Sequence, residues 1–101
     1  MTPGGYRLSK LALDDLEDIG AYIANDSPEI ADRFVDRILM RVELLATNPH
    51  LGRSRPEFAP AYRTFPFANY VIVYRLSGDL ILIERVLHGA RSIPDILRDP
   101  P

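Results

Sequence analysis

The stretch Tyr70-Val71-Ile72-Val73-Tyr74-Arg75-Leu76-Ser77-Gly78-Asp79-Leu80-Ile81-Leu82-Ile83 decides the fold. Two runs of β-branched and aromatic residues flank Ser77-Gly78-Asp79, which reads as a tight hairpin turn. Neither run alternates cleanly between apolar and polar residues, the pattern of a central strand covered by other elements. The spacing predicts strands over Asn69 to Leu76 and Leu80 to Leu87, preceded by a third over Ala61 to Phe65.

Upstream, Leu51 to Pro60 contains Gly52, Pro56 and Pro60 and reads as an irregular loop. Before it the apolar period changes to that of a helix. Ser27-Pro28-Glu29 supplies an N-cap followed by proline at the first helical position. Ala31, Phe34, Ile38, Val42 and Leu45 then form a stripe that ends near Asn48-Pro49. An earlier helix starts after Ser9, carries Ala12, Leu16, Ile19 and Ile23 on one face and stops at Asn25-Asp26. The short connection favours an antiparallel pair. Tyr6 to Leu8 reads as a first strand, and Ser92 to Arg98 as a short terminal helix. The order β-α-α-β-β-β specifies a single two-layer α+β domain over residues 1–101, with an N-terminal αα-hairpin packed on a twisted, mainly antiparallel sheet.

The 101 residues carry twelve basic and fourteen acidic side chains, a net charge of −2. Direct, sequence-specific nucleic-acid binding is therefore not expected, since such proteins usually carry a basic surplus. Eleven of the twelve basic residues are arginine, suited to planar contacts with carboxylate or phosphate. With no cysteine there is no disulfide framework, thiolate metal site or thiol nucleophile. A secretory signal and an apolar run long enough to cross a bilayer are both missing, so a cytoplasmic location without membrane contact is expected.

Glycine-rich phosphate loops and serine elbows do not occur. His50 and His88, the only histidines, lack metal-ligand spacing, and neither a metal nor an organic cofactor is expected. Asp14, Asp15, Glu17 and Asp18 read as a solvated helix face that complements the helix dipole rather than as an acid/base pair. Arg33, Arg37 and Arg41 recur every four residues. They form either a rail for an acidic partner segment or a solvated face partly neutralised by Glu29. Leu13 and Tyr22 lie off the core stripe of the first helix and are candidates for partner contact. On the sheet, Arg63, Arg75, Arg85 and Arg91, with His88, are expected to gather on one face. There they would form a target-binding rim or, as Arg63, His88 and Arg91, a ribonuclease site with phosphate-binding arginines and a proton donor. The alternative is arginines at strand ends facing water.

Several segments together resemble ParE-family toxins. They are Tyr6-Arg7-Leu8-Ser9 with Ala12, Asp15-Leu16, Ile19 and Tyr22-Ile23; Ser27-Pro28 with Ala31 and Phe34; Asn48-Pro49; Gly52-Arg53; and Tyr62-Arg63. Tyr70 to Arg75 and Ile83 to Arg91 complete the set, which spans about residues 6 to 97. The resemblance implies a helix hairpin against a twisted sheet and a cognate ParD-like antitoxin whose tail folds around the toxin. Within the wider superfamily, RelE-like members cut ribosome-bound mRNA, whereas ParE-like members act on DNA gyrase. The positions of the ribonuclease branch's strand arginine, strand lysine and C-terminal tyrosine fall here on Val71, near Phe65 and near Leu97. The resemblance therefore implies a gyrase inhibitor first, with a RelE-type mRNA endonuclease and a weakly toxic binding module as alternatives.

Overall fold

A computed structural model describes residues 5–89. Strand β1 (Tyr6–Leu8) leads into helix α1 (Lys10–Ala24), and three residues connect it to helix α2 (Pro28–Thr47). The remaining strands are β2 (Arg53–Ser54), β3 (Tyr62–Phe67), β4 (Tyr70–Ser77) and β5 (Leu80–His88). The sheet order is β1-β5-β4-β3-β2; every neighbouring pair is antiparallel except β1 with β5, which run parallel. This is the two-layer α+β arrangement expected from the sequence. The described residues include no helix long and apolar enough to cross a membrane.

Both helices begin on the serines the sequence marks. Ser9 Oγ accepts the Ala12 N–H at 3.0 Å and donates to the Glu84 carbonyl at 2.7 Å, tying the start of α1 to β5. Ser27 Oγ accepts the Ile30 N–H at 3.3 Å, with Pro28 in the first turn. Ala12, Leu16 and Ile19 of α1 and Ile38, Val42 and Leu45 of α2 bury against Ile72 and Tyr74 of β4 and Ile81, Ile83 and Val86 of β5. Each fully buried aliphatic side chain here contributes about 1.5–3 kcal/mol relative to exposure.

Two-residue turns, Ala68-Asn69 and Gly78-Asp79, join the last three strands. The first residue of each has positive φ: +60° at Gly78 and +54° at Ala68. Glycine adopts this conformation freely, whereas alanine pays about 1 kcal/mol for it.

The structure departs from the sequence reading at several points. Arg53 and Ser54, expected in a loop, pair with Thr64 and Arg63 as an edge strand. Strand β3 continues through Pro66 to Phe67; β2 reaches only Arg63 and Thr64, so the outer edge at Pro66 has no neighbouring strand and the missing N–H breaks no ladder. A bulge shifts the register so that Val73 faces Arg85 while Tyr74 faces Ile83, leaving Glu84 as the extra residue. The acidic run of α1 places no residue in its first turn. Asp15 leaves the solvated face assigned to it: its side chain is only 13% exposed and faces β5. The helix expected over Ser92 to Arg98 lies outside the described residues.

Candidate functional site

Among the described residues, Arg63, Arg75 and Arg85 do not gather on one face. Arg63 stands opposite Tyr74, and its Nη1 donates to the carbonyls of Gly52 at 2.6 Å and His50 at 3.4 Å, bracing the segment after α2. Tyr74, fully buried, works on the same segment: its hydroxyl donates to the Pro49 carbonyl at 2.8 Å and accepts the Gly52 N–H at 2.9 Å. Burial is the main reason the Tyr74 hydroxyl sits above its ordinary pKa. Arg75 projects from the face opposite the helices and pairs with Glu84 at 2.6 Å, beside Tyr62. The Glu84 hydrogen bond holds the Arg75 guanidinium more firmly charged; burial, then the nearby Glu84 charge, raises the Tyr62 hydroxyl.

Arg85 turns the other way. Its Nε and Nη2 donate to the two carboxylate oxygens of Asp15 at 2.8 and 3.0 Å, and one of those oxygens also accepts the Val86 N–H at 3.0 Å. Strand β1 stops at Leu8, opposite Ile83, so the edge of β5 beyond it has no strand partner; the Asp15 carboxylate occupies that edge. These hydrogen bonds raise the Arg85 pKa, with burial opposing.

His88 pairs with Tyr70 in register, and the two rings meet edge to face at 5.4 Å. Arg63 is level with Tyr74 on β4 and His88 with Tyr70, four residues or about 13 Å apart along the strand. The expected group of Arg63, Arg75, Arg85 and His88 is thus dispersed by packing and ion pairing; Arg91, its remaining member, lies outside the described residues. Phe65, where the resemblance aligns a catalytic lysine, packs against the core. No group of histidine and carboxylate side chains able to hold a metal ion occurs among the described residues.

The structure instead brings together a set of aromatic residues at the end of the two layers where α1 finishes and α2 begins. Phe34 contacts Phe67 at 5.5 Å and Tyr70 at 5.7 Å between ring centroids, and Tyr70 continues to His88. Tyr22, Ile23, Phe34, Ala68, Tyr70 and His88 line a groove of about 530 Å³. A smaller pocket, of about 180 Å³, continues it past Tyr22 and His88 to Asp18. The guanidiniums of Arg37 and Arg41 sit 5.6 and 5.4 Å from the centre of the Phe67 ring, at the opposite end. Arg33 is exposed one turn before Arg37 on the same stripe. Sequence reasoning assigned Phe34 to the core stripe and Tyr70 to a covered strand; the signal it lacked was that both rings are only half buried.

Leu13 and Tyr22, 46% and 74% exposed, are both surface residues. Nine positions apart on one helix, they stand half a turn out of phase and face opposite flanks of α1. Tyr22 borders the aromatic groove; Leu13 does not.

The profile of the ParE toxin of type II toxin–antitoxin system, parDE, matches residues 6–93. Toxin RelE3 of Caulobacter vibrioides is 35% identical over 83 residues, covering 81% of this chain and 90% of the relative. Toxin ParE1 of the same bacterium is 32% identical over 88 residues, covering 86% and 91%. Among solved structures, a chain of the chromosomal ParDE toxin–antitoxin system from P. aeruginosa superposes with a TM-score of 0.71 at 25% identity, covering 87% of this chain and 98% of that one. The toxin–antitoxin complex RelBE2 from Mycobacterium tuberculosis shares the fold with a TM-score of 0.59 at 22% identity. With its capped helix hairpin, its sheet order and a family profile spanning nearly its whole length, this chain belongs to the ParE toxins of type II toxin–antitoxin systems.

Proposed function

We propose that this toxin inhibits DNA gyrase through surface contacts and is neutralised by direct binding of a ParD-like antitoxin. The observation that carries the reading is how the sheet arginines are used: Arg63, Arg75 and Arg85 are each committed to a carbonyl or carboxylate of the fold itself. A ribonuclease needs cations directed at a phosphate beside a proton donor; here His88 is remote from Arg63 along the sheet. The net charge of −2 adds support, because entry into an RNA-rich site favours a basic protein. The antitoxin partner is supported by the structural relatives, which come from the ParDE toxin–antitoxin system and the RelBE2 toxin–antitoxin complex, and by the exposed aromatic groove. Purified toxin should abolish gyrase supercoiling in vitro, and full supercoiling at molar excess of folded toxin would overturn the gyrase target.

A RelE-type mRNA endonuclease is the second reading, favoured by the name of the Caulobacter RelE3 relative. Mapping transcript 5′ ends after induction separates the two: new ends within translated codons support cleavage, and an unchanged map supports the gyrase reading.

A further inference from the structure

We infer that the sheet face turned away from the helices is the seat of the chain's own final residues, 90–101, which close it to nucleic acid. Alternation along the strands places Thr64, Val71, Val73 and Leu87 on this face, since Ile72, Tyr74 and Val86 beside them point into the helix-covered core. Yet Val73 is 0% exposed, Leu87 2% and Thr64 5%, and neither aliphatic side chain belongs to that core. Both described helices lie on the other face, and all five described strands belong to the sheet itself. The long polar side chains do not supply a cover: Arg75 and Glu84 pair with each other toward the Gly78 turn, and Arg85 turns to Asp15. Neighbours within a sheet leave part of a valine or leucine open to water, so an apolar cover lies over this pair.

The occupant follows from where the described chain ends. Gly89 donates its N–H to the Asn69 carbonyl at 2.7 Å, and a Cβ at Gly89 would lie 3.9 Å from Val71 Cγ2. The chain therefore leaves β5 alongside the first valine of this face, about 7 Å along the strand from Val73. Residues 90–101 follow in the sequence, enough to reach about 40 Å when extended. They offer Ile93, Ile96 and Leu97 for burial. Their charges balance, Arg91 and Arg98 against Asp95 and Asp99, so the segment has no net pull toward an acidic or basic partner. Val71 is also the position where the resemblance places the strand arginine of the ribonuclease branch. An apolar side chain beneath an apolar segment is the reverse of a phosphate-binding face, and a face closed in this way has no seat for a transcript. The inference does not depend on the gyrase reading.

The chain has no cysteine, so a single thiol introduced on this face reports on its cover without interference. Leu87→Cys in the full chain, reacted with a maleimide under native conditions, should label about tenfold or more slowly than Leu51→Cys, whose parent side chain is 50% exposed. Val73→Cys repeats the measurement at the centre of the face and replaces Leu87→Cys should that variant melt early. Adding Ile96→Asp with Leu97→Asp should speed labelling at positions 73 and 87 about tenfold and leave the Leu51→Cys rate unchanged. If those aspartates unfold the domain, judged by its melting curve, Ile96→Ala with Leu97→Ala makes the same comparison at smaller cost. Labelling at 73 and 87 as fast as at 51 overturns the proposal, and so does slow labelling that the substitutions at 96 and 97 leave unchanged. Protection that fades as the protein is diluted makes the cover a second copy and overturns it as well. None of these outcomes bears on whether the toxin inhibits gyrase, which the supercoiling assay decides separately.

Discussion

Tyr74 shows how much one side chain does in this small domain. Its ring fills the core and its hydroxyl holds both Pro49 and Gly52, so the segment leaving α2 is pinned to the middle of the sheet. Tyr74→Phe keeps the packing but leaves the buried Gly52 N–H without its acceptor, and should cost about 1–3 kcal/mol in chemical denaturation. Gly52→Ala should destabilise at least as much, because a Cβ there collides with the Tyr74 ring and hydroxyl. The pH dependence follows from the raised pKa of the Tyr74 hydroxyl. In the unfolded chain it ionises near pH 10, whereas the fold keeps it protonated to higher pH. The stabilisation is complete below about pH 10 and is lost as pH rises from there through the folded-state pKa. Tyr74→Phe should therefore show a shallower alkaline decline in melting temperature. Ala68→Gly should raise stability by about 1 kcal/mol or less, since glycine adopts the turn's positive φ without strain; no gain would mean that the turn is relaxed as it stands.

At the scale of elements, the contact between α1 and β5 depends on Asp15. One carboxylate serves both the Arg85 guanidinium and the Val86 N–H, each only partly accessible. Asp15→Ala should cost about 3 kcal/mol, because a largely buried cation and a strand N–H both lose their partner. Exchanging the two residues, Asp15→Arg with Arg85→Asp, should restore little, since the Val86 N–H then has no acceptor. Full recovery would show the pair to be a simple ion pair. The contrast between local and distant signals explains what the sequence disclosed. The helix caps at Ser9 and Ser27-Pro28 and the Gly78 turn act on residues within four positions of themselves, and all three were legible; the bond from Ser9 to the Glu84 carbonyl, 75 positions away, was not. Asp15 acts on Arg85, seventy positions away, and nothing in its neighbourhood distinguishes it from Asp14, which stays at the surface beside Lys10. Strand β2 was hidden for a different reason: two residues, Arg53 and Ser54, are too few to display an alternating pattern.

For the molecule as a whole, the helix pair and the central hairpin followed from periodicity, but the arrangement of the sheet arginines did not. Periodicity specifies which face a side chain leaves from; it carries no information on whether a carbonyl or carboxylate waits for it there. Arg63, Arg75 and Arg85 all found such acceptors. The groove was missed for a related reason, because its lining comes from both helices, from β4 and β5 and from the turn before β4. A chain starting at Ser9 tests the role of β1. Without that strand, Ile81 to Ile83 lose their parallel neighbour, and the shortened protein should unfold less cooperatively and bind hydrophobic dyes.

The parallel pairing of Tyr6 with Ile81 joins positions 75 residues apart. During synthesis the first strand leaves the ribosome long before its partner exists, and the helices must wait with their apolar faces uncovered until the final hairpin arrives. Each newly made molecule therefore passes through an interval in which it is incomplete and vulnerable to proteases. Strand β5, the last of the described strands, is the one that joins β1 to β4, so that interval lasts until its residues have emerged from the ribosome.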